Sequence, residues 1–209
     1  MIPAEKCRVL DVWNSPGLRG TGTHDFEVED VFVPAAHHAP PGGHHSFAGP
    51  LYGGPLAHFI NPPLAAVALG IAREALDEFI QLARTKIPER SKVTLSERHS
   101  IHELVGRAEA QIAAGRAYLL NTIDRLWEAL LVGEGVPSDL TAQVLVATAY
   151  ATEQAVRAVD LVFTAAGSTS IVSRNRLERC FRDVHVVNHH DAASPFMFER
   201  LGQYILCGR

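Results

Sequence analysis

Long stretches in which apolar residues recur at helical spacing place the strongest limit on the fold of this 209-residue chain. After Ser138, predicted to cap a helix, apolar side chains recur three or four residues apart. The positions are Leu140, Val144, Ala147, Ala151, Ala155, Ala158 and Val162. Such side chains share one helix face, and alanines let neighbouring helices approach closely. The pattern predicts a long helix packed on more than one side in a bundle.

Two earlier stretches predict further long helices. Asn61 is suited to cap the first, with Pro62 and Pro63 at its start. The second is predicted to begin at Thr94, which forms a capping box with Glu97. Its apolar stripe contains Ile101, Leu104, Val105, Ala108, Ile112, Leu119, Ile123, Leu126 and Leu130. These stretches predict a mostly antiparallel helical bundle.

Two shorter helices are expected near the end of the chain. The first covers residues 175–188. Ser194 and Pro195 match an N-cap and first helical position, which start a last helix that runs to Ile205. We therefore assign residues 56–209 to the bundle.

The residues before the bundle have a different pattern. "CRVLDVW" and "FEVEDVFVP" are rich in β-branched and aromatic residues and predict two strands. The segment "NSPGLRGTGTHD" between them is a loop by its glycine and proline content. We assign residues 1–34 to this β segment, which is too small for a stable sheet alone, and residues 35–55 to a Pro/Gly/His-rich linker.

Composition limits the possible partners and compartments. The net charge of −4 gives no overall basic surface for nucleic acid. The longest apolar run meets Arg73 after about ten residues, short of the ~20 that cross a bilayer, and no signal peptide follows Met1. Cys7, Cys180 and Cys207 are odd in number and far apart, unlike a disulfide framework. We expect a soluble, reduced, cytoplasmic protein that binds neither nucleic acid nor membrane.

Basic residues are concentrated in "RNRLERCFRDVHVVNHH", residues 174–190. Arg179 and Arg182 are three residues apart, so they share a helix face and could flank one anion. The preceding turn contains Gly167, which can end a helix, and its backbone N–H groups can form an anion nest. A helix that starts near Asn175 adds an N-terminus that attracts phosphate. The segment predicts a phosphate-bearing ligand; the alternative is a connecting loop with solvated arginines.

Histidine clusters raise the question of a metal site. The linker contains His37, His38, His44 and His45. Adjacent histidines on a Pro/Gly loop lack fixed geometry, so a flexible surface loop is expected there. His185 and His189 are four residues apart on a predicted helix, but no third ligand has matching spacing and Arg182 would repel a cation. We expect no metal site.

The combined pattern resembles a known family. "GLRGTGTHDFEVEDVFVP", followed by helices and then by "AAGSTSI" and "RNRLERCFRDVHVVNHH", is similar to the acyl-CoA dehydrogenase superfamily. The resemblance is closer to its reduced-flavin-dependent two-component monooxygenases, which hydroxylate phenols or oxidise sulfur heterocycles. It implies a mainly α fold: an acyl-CoA dehydrogenase-like C-terminal four-helix bundle, preceded by a short remnant of the middle β domain. The helical N-terminal domain and most of the β domain of that family would be missing here.

The resemblance also implies a flavin site, for FMN or FAD. Arg84 matches a basic residue that reaches the flavin phosphates of a neighbouring subunit in tetramers. Gly167 and Ser168 match the turn that approaches the same phosphates. Arg182 and Asp183 match an ion pair that fixes the last helices and borders the flavin pocket.

By the same resemblance, His190 faces the reactive edge of the flavin, and a one-residue shift of the match would give this role to His189. Histidine titrates near neutrality, so it can deprotonate a phenol or supply a proton. The alternative for His190 is a helix-end residue that hydrogen-bonds a carbonyl. Trp13, Arg19 and His24 lie on the loop where the substrate entrance would be.

The function implied is that of a monooxygenase that receives reduced flavin from a separate reductase, acts on an aromatic or heterocyclic substrate and forms a tetramer. An acyl-CoA dehydrogenase-like enzyme is the first alternative. It needs a carboxylate base, yet the Tyr-Glu-Gly sequence of many such enzymes is absent, and Glu153 is only an unsupported substitute. The second alternative is a non-catalytic helical scaffold that oligomerises and binds no cofactor.

Overall fold

The computed structural model describes residues 1–38 and 49–208, and most of this part of the chain is helical. The α-helices are α1 (Ala57–Thr85), α2 (His99–Val132), α3 (Ser138–Ala166), α4 (Arg176–Asn188) and α5 (Phe196–Cys207). Helix α3 lies at the centre and contacts the other four, while α1 also packs on α2 and α4. This architecture confirms the predicted mainly α fold with a four-helix bundle. None of these helices is long and apolar enough to cross a membrane.

The bundle core contains the predicted apolar stripes. All the stripe residues of α3 are buried. In α2 the stripe residues Ala108, Ile112, Leu119, Leu126 and Leu130 are buried, while the others are half-buried. Phe79 and Leu76 of α1 fill the space between the small side chains. Gly115 of α2 lies so close to α3 that a Cβ atom on it would be 3.2 Å from the Cα of Ala151. Small residues thus allow the close helix contact that the alanines predicted.

The predicted start of the first helix is wrong. Helix α1 begins at Ala57, so Pro62 and Pro63 lie inside it and Asn61 is not its cap. The carbonyls of Pro55 and Leu56 accept N–H groups from residues 58–60, which closes a turn before the prolines. A proline inside a helix removes its own hydrogen bond, and its ring crowds the carbonyl four residues before it, so Pro62 and Pro63 weaken the first turns of α1.

The other predicted helix starts are close to the observed ones. The capping box between Thr94 and Glu97 is present, but it closes a short 3-10 turn, Leu95–Glu97. Helix α2 itself begins at His99. Asn175 caps α4 by accepting the N–H of Leu177 at 2.9 Å. The predicted cap Ser138 is wrong, because Ser138 is already the first residue of α3, Pro137 holds the N-cap position and no side-chain cap hydrogen bond forms there.

The N-terminal region contains two short strands. They are β1 (Arg8–Leu10) and β2 (Asp25–Glu27), which pair antiparallel with Val9 opposite Phe26. The second strand was predicted to continue through "VEDVFVP", but it ends at Glu27. A strand needs a neighbour for its backbone hydrogen bonds, and the described chain supplies no further strand beside this segment.

Candidate functional site

The arginines of α4 are paired with carboxylates one turn away or on a neighbouring helix. Arg176 forms an ion pair with Glu74 of α1. Arg179 donates to Asp183 at 3.3 Å on the same helix face. These pairs offset the repulsion that so many neighbouring cations would otherwise produce.

Arg182 is held by two different groups. Its Nε and Nη2 atoms donate to the two carboxylate oxygens of Glu178 at 2.6 and 3.0 Å, and its Nη1 donates to the carbonyl of Pro16. The hydrogen bond to Glu178 raises the pKa of Arg182 above its usual value. The predicted ion pair between Arg182 and Asp183 is wrong, because adjacent residues on a helix do not face each other whereas residues four apart do.

A cleft of about 340 Å³ lies beside these arginines. We call it the arginine cleft; its walls are Leu18, Arg19, Gly20, Thr21, Arg179, Arg182 and Asp183. One wall belongs to the loop of residues 14–24, named here the glycine loop, and the other to α4. The structure thus brings together three of the predicted site residues, Arg19, Arg182 and Asp183. The walls contain more cations than carboxylates, which suits an anionic group.

The other two residues predicted at the substrate entrance, Trp13 and His24, stabilise the glycine loop without lining the cleft. The indole Nε1 of Trp13 donates to the carbonyl of Leu18 at 3.1 Å. The backbone N–H of Trp13 donates to Nδ1 of His24 at 3.2 Å. Neither side chain is among the lining residues of the arginine cleft. Both side chains therefore hold the shape of the loop that carries Arg19.

The turn after α3 is held by Lys86, the residue that directly follows α1. Gly167 ends α3 with a φ of 60°, a conformation that favours glycine. Nζ of Lys86 donates to the carbonyl of Ala166 at 2.5 Å and to Oγ1 of Thr169 at 2.6 Å. Cations are favourable at a helix C-terminus, so Lys86 stabilises the end of α3. Ser168, which follows Gly167, is exposed.

Arg84 lies two residues before Lys86, in the last turn of α1. Its side chain is exposed and donates weakly to Gln81 at 3.5 Å. Because Lys86 bonds the end of α3, the ends of α1 and α3 lie side by side; Arg84 lies in α1 and Lys86 directly follows it. The described hydrogen bonds and ion pairs do not link Arg84 or the turn to the arginine cleft.

The two candidate catalytic histidines lie at the C-terminal end of α4. His189 directly follows the helix and is exposed. His190 is also exposed, and its Nδ1 accepts the N–H of Ala192 at 3.1 Å. An accepting Nδ1 means that the neutral ring carries its proton on Nε2. His190 therefore has an Nε2–H group that can donate a hydrogen bond. The alternative for His190 was a hydrogen bond to a backbone carbonyl; the observed bond comes instead from the backbone N–H of Ala192.

The remaining histidines of the sequence analysis are in other surroundings. Nε2 of His185 is 2.9 Å from Oδ1 of Asp160 on α3, and His37 lies in a short 3-10 turn. His44 and His45 lie outside the described residues. Across residues 1–38 and 49–208, no group of three or more His, Cys, Asp or Glu side chains could hold a metal ion.

Sequence reasoning missed three residues of this region, namely Gly17, Lys86 and Asp160. Asp160 contacts His185, 25 residues away, and Lys86 contacts the turn after α3, about 80 residues away. No local spacing in the sequence indicates such contacts. Gly17 stands in a glycine-rich loop, so its own role was hidden among other glycines. A basic residue at the end of a helix is a known signal for capping, and it could have pointed to Lys86.

Comparison with known proteins decides the family. A family model described as acyl-CoA dehydrogenase, C-terminal domain, matches residues 63–195, more than half of the chain. The chain belongs to this family. The match runs from within α1 to the residue before α5, so this acyl-CoA dehydrogenase C-terminal domain includes the turn at Gly167 and all of α4. The predicted resemblance is confirmed.

Curated relatives of this acyl-CoA dehydrogenase C-terminal domain are oxygenases. The indole-3-acetate monooxygenase of Pseudomonas putida is 32% identical over 97% of this chain and 52% of its own length. HsaA of Rhodococcus jostii, the oxygenase subunit of a flavin-dependent monooxygenase, is 28% identical over 93% of this chain and 53% of its own length. The chain therefore spans about half the length of these relatives.

Solved structures share the fold. The 3-HSA hydroxylase of Rhodococcus sp. RHA1 matches 98% of this chain and 55% of its own, with a TM-score of 0.83 and 26% identity. XiaF from Streptomyces sp., solved with FADH2 and glycerol, covers 98% of this chain and 54% of its own, with a TM-score of 0.88 and 22% identity. At that identity, the likeness to XiaF concerns the fold alone.

Proposed function

We propose that this chain forms the C-terminal part of the oxygenase component of a two-component, flavin-dependent monooxygenase that acts on an aromatic or heterocyclic substrate. The observation that carries this proposal is the match along 97% of the chain to indole-3-acetate monooxygenase. The name of the HsaA relative, an oxygenase subunit, supports a separate reductase as the source of the reduced flavin.

The arginine cleft fits part of such a cofactor. Its volume of about 340 Å³ is at the lower end of the ~300–1,000 Å³ of ligand pockets, which suits a phosphate and its neighbouring groups rather than a whole FAD. Arg19 offers a guanidinium to a phosphate, and Arg179 and Arg182 keep part of their N–H groups for a ligand beyond their bonds to carboxylates. Asp183 limits the positive charge of the site.

The turn at Gly167 supplies a second candidate contact for flavin phosphates. Ser168 offers a hydroxyl, and the cation of Lys86 lies at the same turn; the N–H of Gly167 already donates to the carbonyl of Thr164. Arg84 extends from the adjacent end of α1. In our proposal these groups meet the phosphates of a flavin shared with a neighbouring subunit of a tetramer, and FMN and FAD both present the required phosphate.

His190 has the proton-handling role, with His189 as its substitute. A bound reduced flavin supplies the electrons that activate O₂. In the neutral ring, Nε2–H of His190 would donate a hydrogen bond to the reacting oxygen. To accept a proton from a phenol at Nε2, the ring would have to carry its own proton on Nδ1 and give up the hydrogen bond from Ala192.

Binding of reduced flavin is the first test. Reduced FMN and reduced FAD are titrated anaerobically into the 209-residue chain, and Arg19→Gln is compared with the parent. We expect saturable binding that weakens about tenfold in the variant, the effect of one lost charge-assisted hydrogen bond. Arg107→Gln is the matched control, because Arg107 forms only an exposed pair with Glu103 on α2.

Three outcomes separate the candidate functions. Failure of both reduced flavins to bind would favour the cofactor-free scaffold. Formation of a hydroxylated product from indole-3-acetate in the presence of a flavin reductase, and not without this chain, supports the oxygenase, whereas reduction of a dye by an acyl-CoA supports the dehydrogenase. Glu153, the substitute base of that dehydrogenase, forms an ion pair with Arg157 on α3.

The remaining proposals concern boundaries, assembly and location. We propose that residues 1–34 complete a β domain, residues 35–55 form a linker and residues 56–209 form the bundle domain. Exposed apolar side chains on α1, α2 and α5, among them Val67, Leu131 and Ile205, support a homotetramer. The cysteines of the described chain are free, which supports a cytoplasmic location.

A further inference from the structure

The carboxylate of Asp183 connects the glycine loop to α4. Its Oδ1 accepts the backbone N–H of Leu18 at 2.7 Å, and its Oδ2 accepts from Arg179 at 3.3 Å. Only 14% of the side chain is exposed. One carboxylate therefore joins a loop amide and a cleft arginine.

Gly17 allows this contact by bringing the loop backbone onto the helix backbone. A Cβ atom on Gly17 would be 2.4 Å from the carbonyl oxygen of Arg182 and 2.9 Å from the Cα of Asp183. Both are backbone atoms of a helix, so they cannot move aside as a flexible side chain would. The next residue, Leu18, has a φ of 49°, which is costly for a residue with a Cβ and needs support from its surroundings.

A carboxylate in the wall of the arginine cleft requires an explanation. On charge alone, Asp183 repels any anion that enters, so it weakens the binding that the arginines favour. Its bond to Leu18 provides a structural reason for its presence. Loops of this composition are mobile unless their backbone is hydrogen-bonded to the scaffold, and this loop carries Arg19.

We propose that Asp183 is a positioning residue: together with Gly17 it clasps the glycine loop to α4 and fixes Arg19 opposite Arg179 and Arg182. We call this pair of contacts the clasp. Its relevance to a bound ligand rests on the proposed flavin function, whereas the clasp itself exists without a ligand.

Two variants of Asp183 separate the hydrogen bond from the charge. Asp183→Asn keeps an oxygen that accepts the N–H of Leu18 and removes the charge, while Asp183→Ala removes both. The first readout is the rate of tryptic cleavage after Arg19, together with hydrogen exchange of the loop amides. We expect about tenfold faster cleavage in Asp183→Ala and a rate within about threefold of the parent in Asp183→Asn. Glu103→Ala, which breaks an exposed pair on α2, is the control and keeps the parent rate.

The second readout is the affinity for reduced flavin. A clasp predicts opposite signs: tighter binding in Asp183→Asn, which loses a repelling charge, and weaker binding in Asp183→Ala, which releases Arg19. If Asp183 acted only through its charge, both variants would bind more tightly by a similar factor, and the proposal would be overturned. Parental cleavage rates in Asp183→Ala would overturn it as well.

A third variant guards against general unfolding. Gly17→Ala leaves the sequence of α4 unchanged and pushes the loop away from it. We expect faster cleavage after Arg19 at unchanged helical circular dichroism; an unchanged cleavage rate would contradict the clasp. Should the parent chain bind no flavin, the proposed function fails, while the cleavage and exchange data still decide whether the clasp exists.

Discussion

Phe79 in α1 and Phe26 in β2 are the same residue type in opposite surroundings. Phe79 is fully buried among the helices, whereas Phe26 is 67% exposed. The neighbouring side chains differ in burial in the same way. Leu76 near Phe79 is buried, and Val9 opposite Phe26 is exposed. The bundle therefore has a core of its own, and the two strands have none within the described residues.

This difference shows what holds each region in place. Burial of apolar surface stabilises the bundle. The N-terminal region contacts the bundle mainly through the clasp and the bond from Arg182 to Pro16, and among its described residues the one apolar residue packed against the core of the bundle is the half-buried Leu18. We infer that the bundle carries most of the free energy of folding, and that the glycine loop can loosen while the bundle stays folded.

The largest expected effect tests this difference directly. Phe79→Ala should lower the free energy of unfolding by about 3–5 kcal/mol, because it leaves a cavity in a closed core. Phe26→Ala should change it by less than about 0.5 kcal/mol. Urea unfolding followed by circular dichroism measures both. Equal losses would show that the strands share the stability of the bundle.

A smaller effect concerns the contact between α2 and α3. Gly115→Val would place a branched side chain against Ala151 and should cost about 1–3 kcal/mol of unfolding free energy. Gly106 lies on the same helix with no atom within 4 Å of an added Cβ, so it is the matched control. Gly106→Val should change the free energy of unfolding by less than about 0.5 kcal/mol, because no neighbouring atom meets its Cβ. The same change in midpoint for both variants would disprove close packing at Gly115.

The smallest effect is a pH dependence at the start of α1. His58 is buried with Nδ1 unpartnered, and burial lowers the pKa of its imidazole. Below the unfolded pKa of about 6.5 the unfolded chain binds a proton that the folded chain resists, so stability falls as the pH decreases. His58→Gln should flatten the unfolding free energy between pH 7 and 5. The exposed His99→Gln should leave that slope as it is.

The helices could be predicted from sequence because their information is local. The stripe from Leu140 to Val162 repeats at helical spacing, and every member is buried. The start of α1 was mispredicted because Pro62 was treated as a boundary, while the backbone closes a turn before it. Strand β2 was predicted too long because its extent depends on a neighbouring strand, which its own residues do not reveal.

The site was partly predictable for the same reason. The cationic character of α4 is visible in its sequence, and the pairs Arg182–Glu178 and Arg179–Asp183 follow from the four-residue spacing on a helix. The approach of Gly17 to Arg182 spans more than 160 residues, so only the folded chain reveals it. The roles of Arg84, His189 and His190 in catalysis or cofactor binding stay predictions.

The lysine that closes the turn after α3 has an electrostatic consequence. The free carbonyls at the end of a long helix create a negative field, which turns approaching anions away. The ammonium of Lys86 sits directly on one of these carbonyls and reverses the sign of the field there. Dissolved ions screen such a field, so the attraction of this helix end for a phosphate should fade as ionic strength rises.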